Sequence, residues 1–340
     1  MDLLNSSHPS TNQSDFSSIF TQDVLPLLYF LLCLVGTAST AWPLASFFRV
    51  PSDSGLVVYL KNMVVADLLM LATFPFRLAA QLGLGGWRLH VVMCRYTSVV
   101  FYSSMYVGIL LMGFISLERY VKIVRPPAST SSSCGGASWL HLVQTVAFAR
   151  VLALLTWSFL LLCVLPNVVL TSAPARPENS RHCMQLKTPL GVQWHRASSF
   201  LSVGLFWVTL LVLVFCYASI ARRVLRSYRR VRQSSSSICR RSKRSIVSLL
   251  LVFTLCFVPY HVCRVPYTLS QMPASGFSWN SRFLLFQMKE GTLFLSALNV
   301  CLDPIIYFLM CATFRESLLK KLPGPERGRS LTTAQSLSNI

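Results

Sequence analysis

Residues 56–82 read LVVYLKNMVVADLLMLATFPFRLAAQL. Only three charged residues, Lys61, Asp67 and Arg77, interrupt this run of 27. As a helix it would rise about 40 Å, more than the ~30 Å of hydrocarbon in a bilayer. Asp67 falls mid-run, where an ionisable group is costly unless it faces the interior of a helix bundle. The stretch therefore reads as a membrane-crossing helix that has partners.

Similar runs lie on both sides of it. The full set of expected spans is Val24–Phe48, Leu56–Leu82, Val91–Val121, Leu140–Leu170, Ser198–Ile220, Ser245–Leu269 and Phe283–Met310. Short connections make sequence neighbours pack together. The composition agrees: 53% of the 340 residues are hydrophobic, 12% are charged, and the mean hydropathy is +0.55. Soluble domains carry about 25% charged residues. The expected fold class is an all-α membrane protein, a seven-helix bundle over residues 24–310. Flanking it are an amino-terminal tail (1–23), a short amphipathic interfacial helix (311–322) and a carboxy-terminal tail (323–340).

The net charge of +20 would suggest nucleic acid on a soluble protein, but its distribution excludes that partner. No Lys or Arg precedes Arg49, whereas Arg222 to Lys243 is crowded with them. Basic connections beside apolar spans mark the cytoplasmic side. By that rule 49–55, 122–139, 222–244 and the tail after Met310 are cytoplasmic, and the amino terminus is outside. No cleavable signal peptide is expected before the first run, because residues 1–23 have neither a basic start nor a short apolar core, and Asn5 and Asn12 open glycosylation sequons suited to an outside tail. Residues 129–136, all Ser, Thr, Cys or Gly, form a small-residue flexible linker. In the interfacial helix Phe314, Leu318, Leu319 and Leu322 oppose Arg315, Lys320 and Lys321. Cys311 beside it is a candidate for palmitoylation.

Asn62 and Asp67 in the second span, Glu118-Arg119-Tyr120 closing the third, Trp157 in the fourth, Phe253, Cys256-Phe257-Val258-Pro259-Tyr260 in the sixth and Asn299 with Asp303-Pro304 and Tyr307 in the seventh together resemble the signature of rhodopsin-like G-protein-coupled receptors. The segments TFPFR (73–77), CRYTSVVFY (94–102), PLGVQWH (189–195) and PYHVCRVP (259–266) resemble its purinergic nucleotide-receptor branch, the one responding to ADP and UDP-sugars. No metal-protease, serine-hydrolase or phosphate-loop motif is present, and Lys289 is too near a span end to hold retinal. An enzyme is not expected, and no metal site.

The resemblance implies a heterotrimeric G protein of the inhibitory class as partner, with arrestin and receptor kinases. No cofactor is expected; the resemblance implies a polar network of Asp67, Asn299 and Asp303 able to take a sodium ion near Asp67 and Asp303, weakened by Gly108 where a Ser often helps hold it. Thr40 stands where the family's Asn ties the first helix to the second. Of the 11 cysteines only Cys94 and Cys183 fall on the outer side, so these two are the expected disulfide; neither 1–23 nor 271–280 contains the Cys for a second one. The activation switch implied is Glu118, Arg119, Tyr120, Tyr217, Phe257, Pro259 and Tyr307, with Glu118 holding Arg119 in a local ion pair and Pro259 kinking the sixth helix.

An anion receptor needs cations near the outer mouth. Arg264 and Lys289 are the expected clamp, with Lys187 closing over it and His195, His261 and Arg95 nearby; Glu290 beside Lys289 is the rival explanation, a carboxylate that would neutralise the pair structurally. Tyr102 and Tyr106, four apart, offer an aromatic wall. Three ligand readings stay open: a nucleotide or nucleotide sugar, an anionic lysophospholipid, or no ligand at all in a constitutively active regulator. Ser330, Thr332, Thr333, Ser336 and Ser338 are candidate phosphorylation sites, and Ser338-Asn339-Ile340 has the form of a PDZ-domain ligand.

Overall fold

In a computed structural model of the chain, the structure describes residues 16–49, 51–124, 145–171, 173, 174, 176, 183–230, 236–272, 276–311 and 315. Among them are seven helices long and apolar enough to cross a membrane: Phe20–Thr40, Gly55–Gln81, Gly86–Val124, Val146–Val169, Pro189–Arg226, Val247–Ser270 and Trp279–Met310. These are the first to seventh spans. The sequons at Asn5 and Asn12, the linker at 129–136, the phosphorylation and PDZ motifs and nearly all of 311–322 lie outside the described residues. Cys311 itself is buried.

The helices outrun the apolar windows that foretold them. The fifth begins at Pro189, not Ser198, because Pro suits the first helical position and the Thr188 hydroxyl accepts from the Gly191 N–H at 3.1 Å. The polar residues of that added stretch, including His195, thereby join the helical scaffold. At the other end this helix runs on to Arg230 and the next resumes at Ser236, so helix takes up much of the expected 222–244 connection. Between the second and third spans, Gly83 and Gly85 turn the chain at φ 71° and 74°, a left-handed conformation that costs glycine little.

The third span lies at the centre, with 67% of its most apolar window buried, against 22% for the fourth at the periphery. Leu154, Leu162, Leu211 and Phe215 face outward, as residues against lipid do. Lipid is as apolar as leucine, so helix association depends on close packing and interhelical hydrogen bonds. Both are visible. A Cβ on Gly113 would meet Thr209 Cγ2 at 2.8 Å, so the third and fifth spans approach through that glycine. Trp157 Nε1 donates to Asn62 Oδ1 at 3.1 Å, joining the fourth span to the second. Ser296 Oγ donates to the Cys256 carbonyl at 2.9 Å, tying the seventh span to the turn just before Pro259.

Candidate ligand site

The odd-numbered spans all begin at one end of the bundle, and there Cys94 and Cys183 form a disulfide with Cα atoms 5.3 Å apart. The seven other described cysteines are free. The disulfide anchors a short turn, Cys183–Leu186, whose Leu186 is buried against Val91 and Cys94. Backbone bonds from Ala173 N to Leu186 O (3.2 Å) and from Thr188 N to Leu170 O (3.0 Å) fix both sides of the turn. Arg95 Nη2 adds a bond to the Ala173 carbonyl at 2.8 Å, so Arg95 serves the loop. The strapped loop delivers Lys187 to a cavity of about 500 Å³.

Six of the expected contact residues line that cavity: Tyr102, Tyr106, Lys187, His195, Arg264 and Lys289. Also in its wall are Arg77 and Tyr260, which no local pattern singles out as contacts, and Glu290, the expected neutraliser of Lys289. Four cationic side chains (Arg77, Lys187, Arg264, Lys289) thus meet one carboxylate, Glu290. That carboxylate accepts from both Arg77, at 2.5 Å, and Lys289. Lys289 is therefore balanced within a triad, with its ammonium also 4.8 Å from the Phe286 ring centroid. Arg264 is not in the triad. Its Nη2 donates to Ser199 Oγ at 3.0 Å and its guanidinium lies 5.7 Å from the Tyr102 ring centroid. The expected Arg264–Lys289 clamp is thus divided, and the cation that Arg264 acts on is Lys187.

Lys187 Nζ rests on two neutral acceptors, Asn167 Oδ1 at 3.4 Å and Thr171 Oγ1 at 3.3 Å. Burial, with the charge of Arg264 adding to it, pulls its ammonium down to about 8. Two mutually repelling cations with no facing carboxylate among the described residues form a subsite that an anion would relieve.

His261 is placed differently from the expectation. It is fully buried behind the cavity wall, 3.7 Å from the Phe206 ring centroid and nearly parallel to it. Its Nδ1 lies 2.8 Å from the Phe257 carbonyl and its Nε2 3.1 Å from the Tyr106 hydroxyl. A carbonyl only accepts, so Nδ1 carries the proton and neutral Nε2 accepts from Tyr106. His261 connects the wall to Phe257 and does not reach the cavity.

Deeper in the bundle, the Tyr307 hydroxyl donates to Asp67 and Asn299 Nδ2 donates to Asp303 Oδ2 at 3.4 Å. Asn299 Oδ1 and Asp303 Oδ1 are buried without a described partner. Two buried carboxylates and orphaned oxygens are the donor set a small hard cation takes. A Cβ on Gly108 would meet nothing within 4 Å, so that position leaves space and no hydroxyl. Thr40 Oγ1 is buried without a partner among the described residues, and Tyr307 makes the bond to Asp67.

At the far end Arg119 Nη2 donates to the Met310 carbonyl at 3.0 Å. Among the described residues the expected ion pair with Glu118 is not formed. Glu118 instead packs beneath Gly55, where a Cβ would meet its carboxylate at 3.5 Å, and Arg119 turns toward the seventh span. Tyr217 is buried with its hydroxyl unpartnered among the described residues. Tyr120 packs on Phe215 at 5.7 Å between ring centroids.

A bundle of seven spanning helices, a loop clasped by a disulfide over a buried cavity, and an Arg latched to the last helix at the opposite end define a membrane receptor. The sequence model of the family described as 7 transmembrane receptor (rhodopsin family) matches residues 52–307, and the chain belongs to that family. It is 42% identical to purinoceptor 14 of Bos taurus over 92% of this chain and 90% of the relative. It is 38% identical to G-protein coupled receptor 87 of Mus musculus over 96% and 87%. It is 36% identical to purinoceptor 13 of Homo sapiens over 94% and 85%. These relatives are receptors, not enzymes, and they place the chain in the purinoceptor branch. Membership implies a plasma-membrane receptor that binds a small molecule and engages a heterotrimeric G protein.

Proposed function

We propose that the chain is a receptor for an anionic extracellular ligand, a nucleotide or nucleotide sugar, with the disulfide-bearing end outside and signalling through an inhibitory-class G protein. The carrying observation is the charge of the cavity: among the described residues, four cations meet one carboxylate, and Arg264 and Lys187 face no acid. Charge-assisted hydrogen bonds to phosphate contribute roughly 1.5–3 kcal/mol each, and Arg holds phosphate in a bidentate way. Tyr102, Tyr106 and Tyr260 supply the aromatic wall for a base. A ligand pressing on Tyr106 acts through His261 on the turn of Phe257, just before Pro259. The sixth helix then swings at its far end, and Arg119, Tyr217 and Tyr307 rearrange to admit the G protein, as one member of a two-state equilibrium. Sodium among Asp67, Asn299 and Asp303 would favour the resting state. Arrestin and receptor kinases act on the tail, whose last residues bind a PDZ domain.

A lysophospholipid is the second reading, favoured by one feature. Among the residues that the fourth and fifth spans give the cavity wall are Leu160, Val164, Leu201 and Leu205, apolar contacts of the kind an acyl chain requires. A panel of nucleotides, nucleotide sugars and lysophospholipids, read by receptor-dependent G-protein activation, separates the two. Activation by lysophospholipids alone would overturn the nucleotide reading.

A further inference from the structure

The amino-terminal segment does not leave the bundle freely. Ser18 and Thr21 exchange bonds, Ser18 N to Thr21 Oγ1 at 3.0 Å and Thr21 N to Ser18 Oγ at 3.2 Å. This reciprocal box starts the first helix. Each arm of the Gln287 side-chain amide then holds the segment. Its Nε2 donates to the Phe16 carbonyl and its Oε1 accepts from Ser18 Oγ, both at 2.8 Å. Phe16 also lays its ring on an aromatic shelf at the start of the seventh span, with centroids 5.6 Å from Phe286 and 6.4 Å from Trp279, stacked on both. Residues 1–23 and 271–280 contain no Cys, so no disulfide joins the tail to the loop before the seventh span.

The latched segment is also part of the cavity. Phe16, Ser17 and Thr21 line it, as does Phe286, the ring shared by Phe16 on one hand and the Lys289 ammonium on the other. The first and seventh spans both begin at the disulfide-bearing end, so the segment sits at the mouth. We propose that residues 16–21 form a strap across the mouth of the ligand cavity, latched by the Gln287 amide and the Phe16 ring, and that release of the latch sets how fast a ligand enters and leaves. The strap rests on the cavity being the ligand site, but not on which anion occupies it.

The test needs no agonist. A Cys placed in the cavity wall by Ser98→Cys is modified with 2-sulfonatoethyl methanethiosulfonate on intact cells, against the same receptor without that change. Losing two net-favourable hydrogen bonds shifts a local equilibrium by about five- to thirtyfold. Gln287→Ala, which removes both bonds, should therefore raise the modification rate at least about fivefold, and Phe16→Ala, which keeps the carbonyl but loses the stacking on Phe286 and Trp279, should raise it in the same direction by a smaller factor. The converse uses Ser18→Cys with Gln287→Cys. Mild oxidation should cross-link the pair and slow modification by a similar factor, and a dose of dithiothreitol that does not alter Ser18→Cys alone should restore it. Because the lock is compared with itself before and after reduction, it remains informative if Gln287→Ala fails to reach the surface. Equal rates in locked, unlocked and latch-broken receptors would overturn the strap. A strap that opens and closes as described while no nucleotide activates the receptor would count against the ligand reading alone.

Discussion

Raising the pH should weaken agonist binding through one side chain, Lys187. Its ammonium is held down to about 8 by burial and by Arg264. With that value it is about nine-tenths protonated at pH 7 and about one-tenth at pH 9. A bound phosphate stabilises the charged form and moves the group back toward its ordinary value of 10.5 or beyond. Binding therefore takes up a proton. The contribution of Lys187 is fully present below about pH 8 and is lost as pH rises through 8 toward the pKa of the complex. Affinity should fall about tenfold between pH 7 and 9, while terminal phosphates, with a second pKa near 6, are already ionised throughout. The assay is agonist-dependent G-protein activation on membranes, buffered in half-unit steps. Lys187→Arg should keep the pH 7 potency and flatten the profile, since a guanidinium stays charged. Lys187→Gln should be flat and weaker. A wild-type profile that is flat, or a slope that persists in Lys187→Arg, would refute the reasoning.

Two glycines in the third span should respond in opposite ways. Gly113→Ala drives a methyl against Thr209, whose hydroxyl is bonded to the Leu205 carbonyl at 2.8 Å, and should cost roughly 1–3 kcal/mol; Gly108→Ala enters open space and should stabilise by up to about 1 kcal/mol, both read as thermal shifts of detergent-solubilised receptor. Cys94→Ser or Cys183→Ser should abolish surface expression or agonist response, because the loop that positions Lys187 is anchored by that bond; flow cytometry and G-protein activation check this, and normal values in both variants would remove the disulfide from the account. Arg119→Ala should block G-protein activation at matched surface level and leave agonist binding intact; unchanged signalling would show that its bond to Met310 has no part in the switch.

The sequence made the scaffold legible because each crossing must be satisfied locally: an apolar run of sufficient length suffices to announce a helix. Cys94 and Cys183 were legible by compartment, and Tyr102, Tyr106, Lys187, His195, Arg264 and Lys289 by type and position near one end. What stayed hidden depends on which side chains meet across the bundle. Glu290 beside Lys289 is a local rival to the two-cation clamp, but Arg77 and Glu290 are 213 residues apart, and nothing local in either says that they pair. His261 lies one turn deeper than Arg264, and the three-residue spacing that puts them on one face does not reveal that Tyr106 covers the first and not the second. Gln287 meets Phe16 across 271 residues, again without a local pattern. Helix ends were misjudged at the fifth span because polar residues continue a helix once Pro189 and Thr188 have started it.

The central claim, that the uncompensated Arg264 receives the anionic group of the ligand, is tested most directly by Arg264→Gln. Concentration–response curves for a nucleotide and nucleotide-sugar panel are compared between wild type and variant at equal surface expression. The account predicts a potency loss of about tenfold or more, corresponding to about 1.4 kcal/mol, with maximal surface level unchanged. Reduced expression with unaltered potency would contradict it, assigning Arg264 a structural role and removing the preference for a phosphate-bearing ligand.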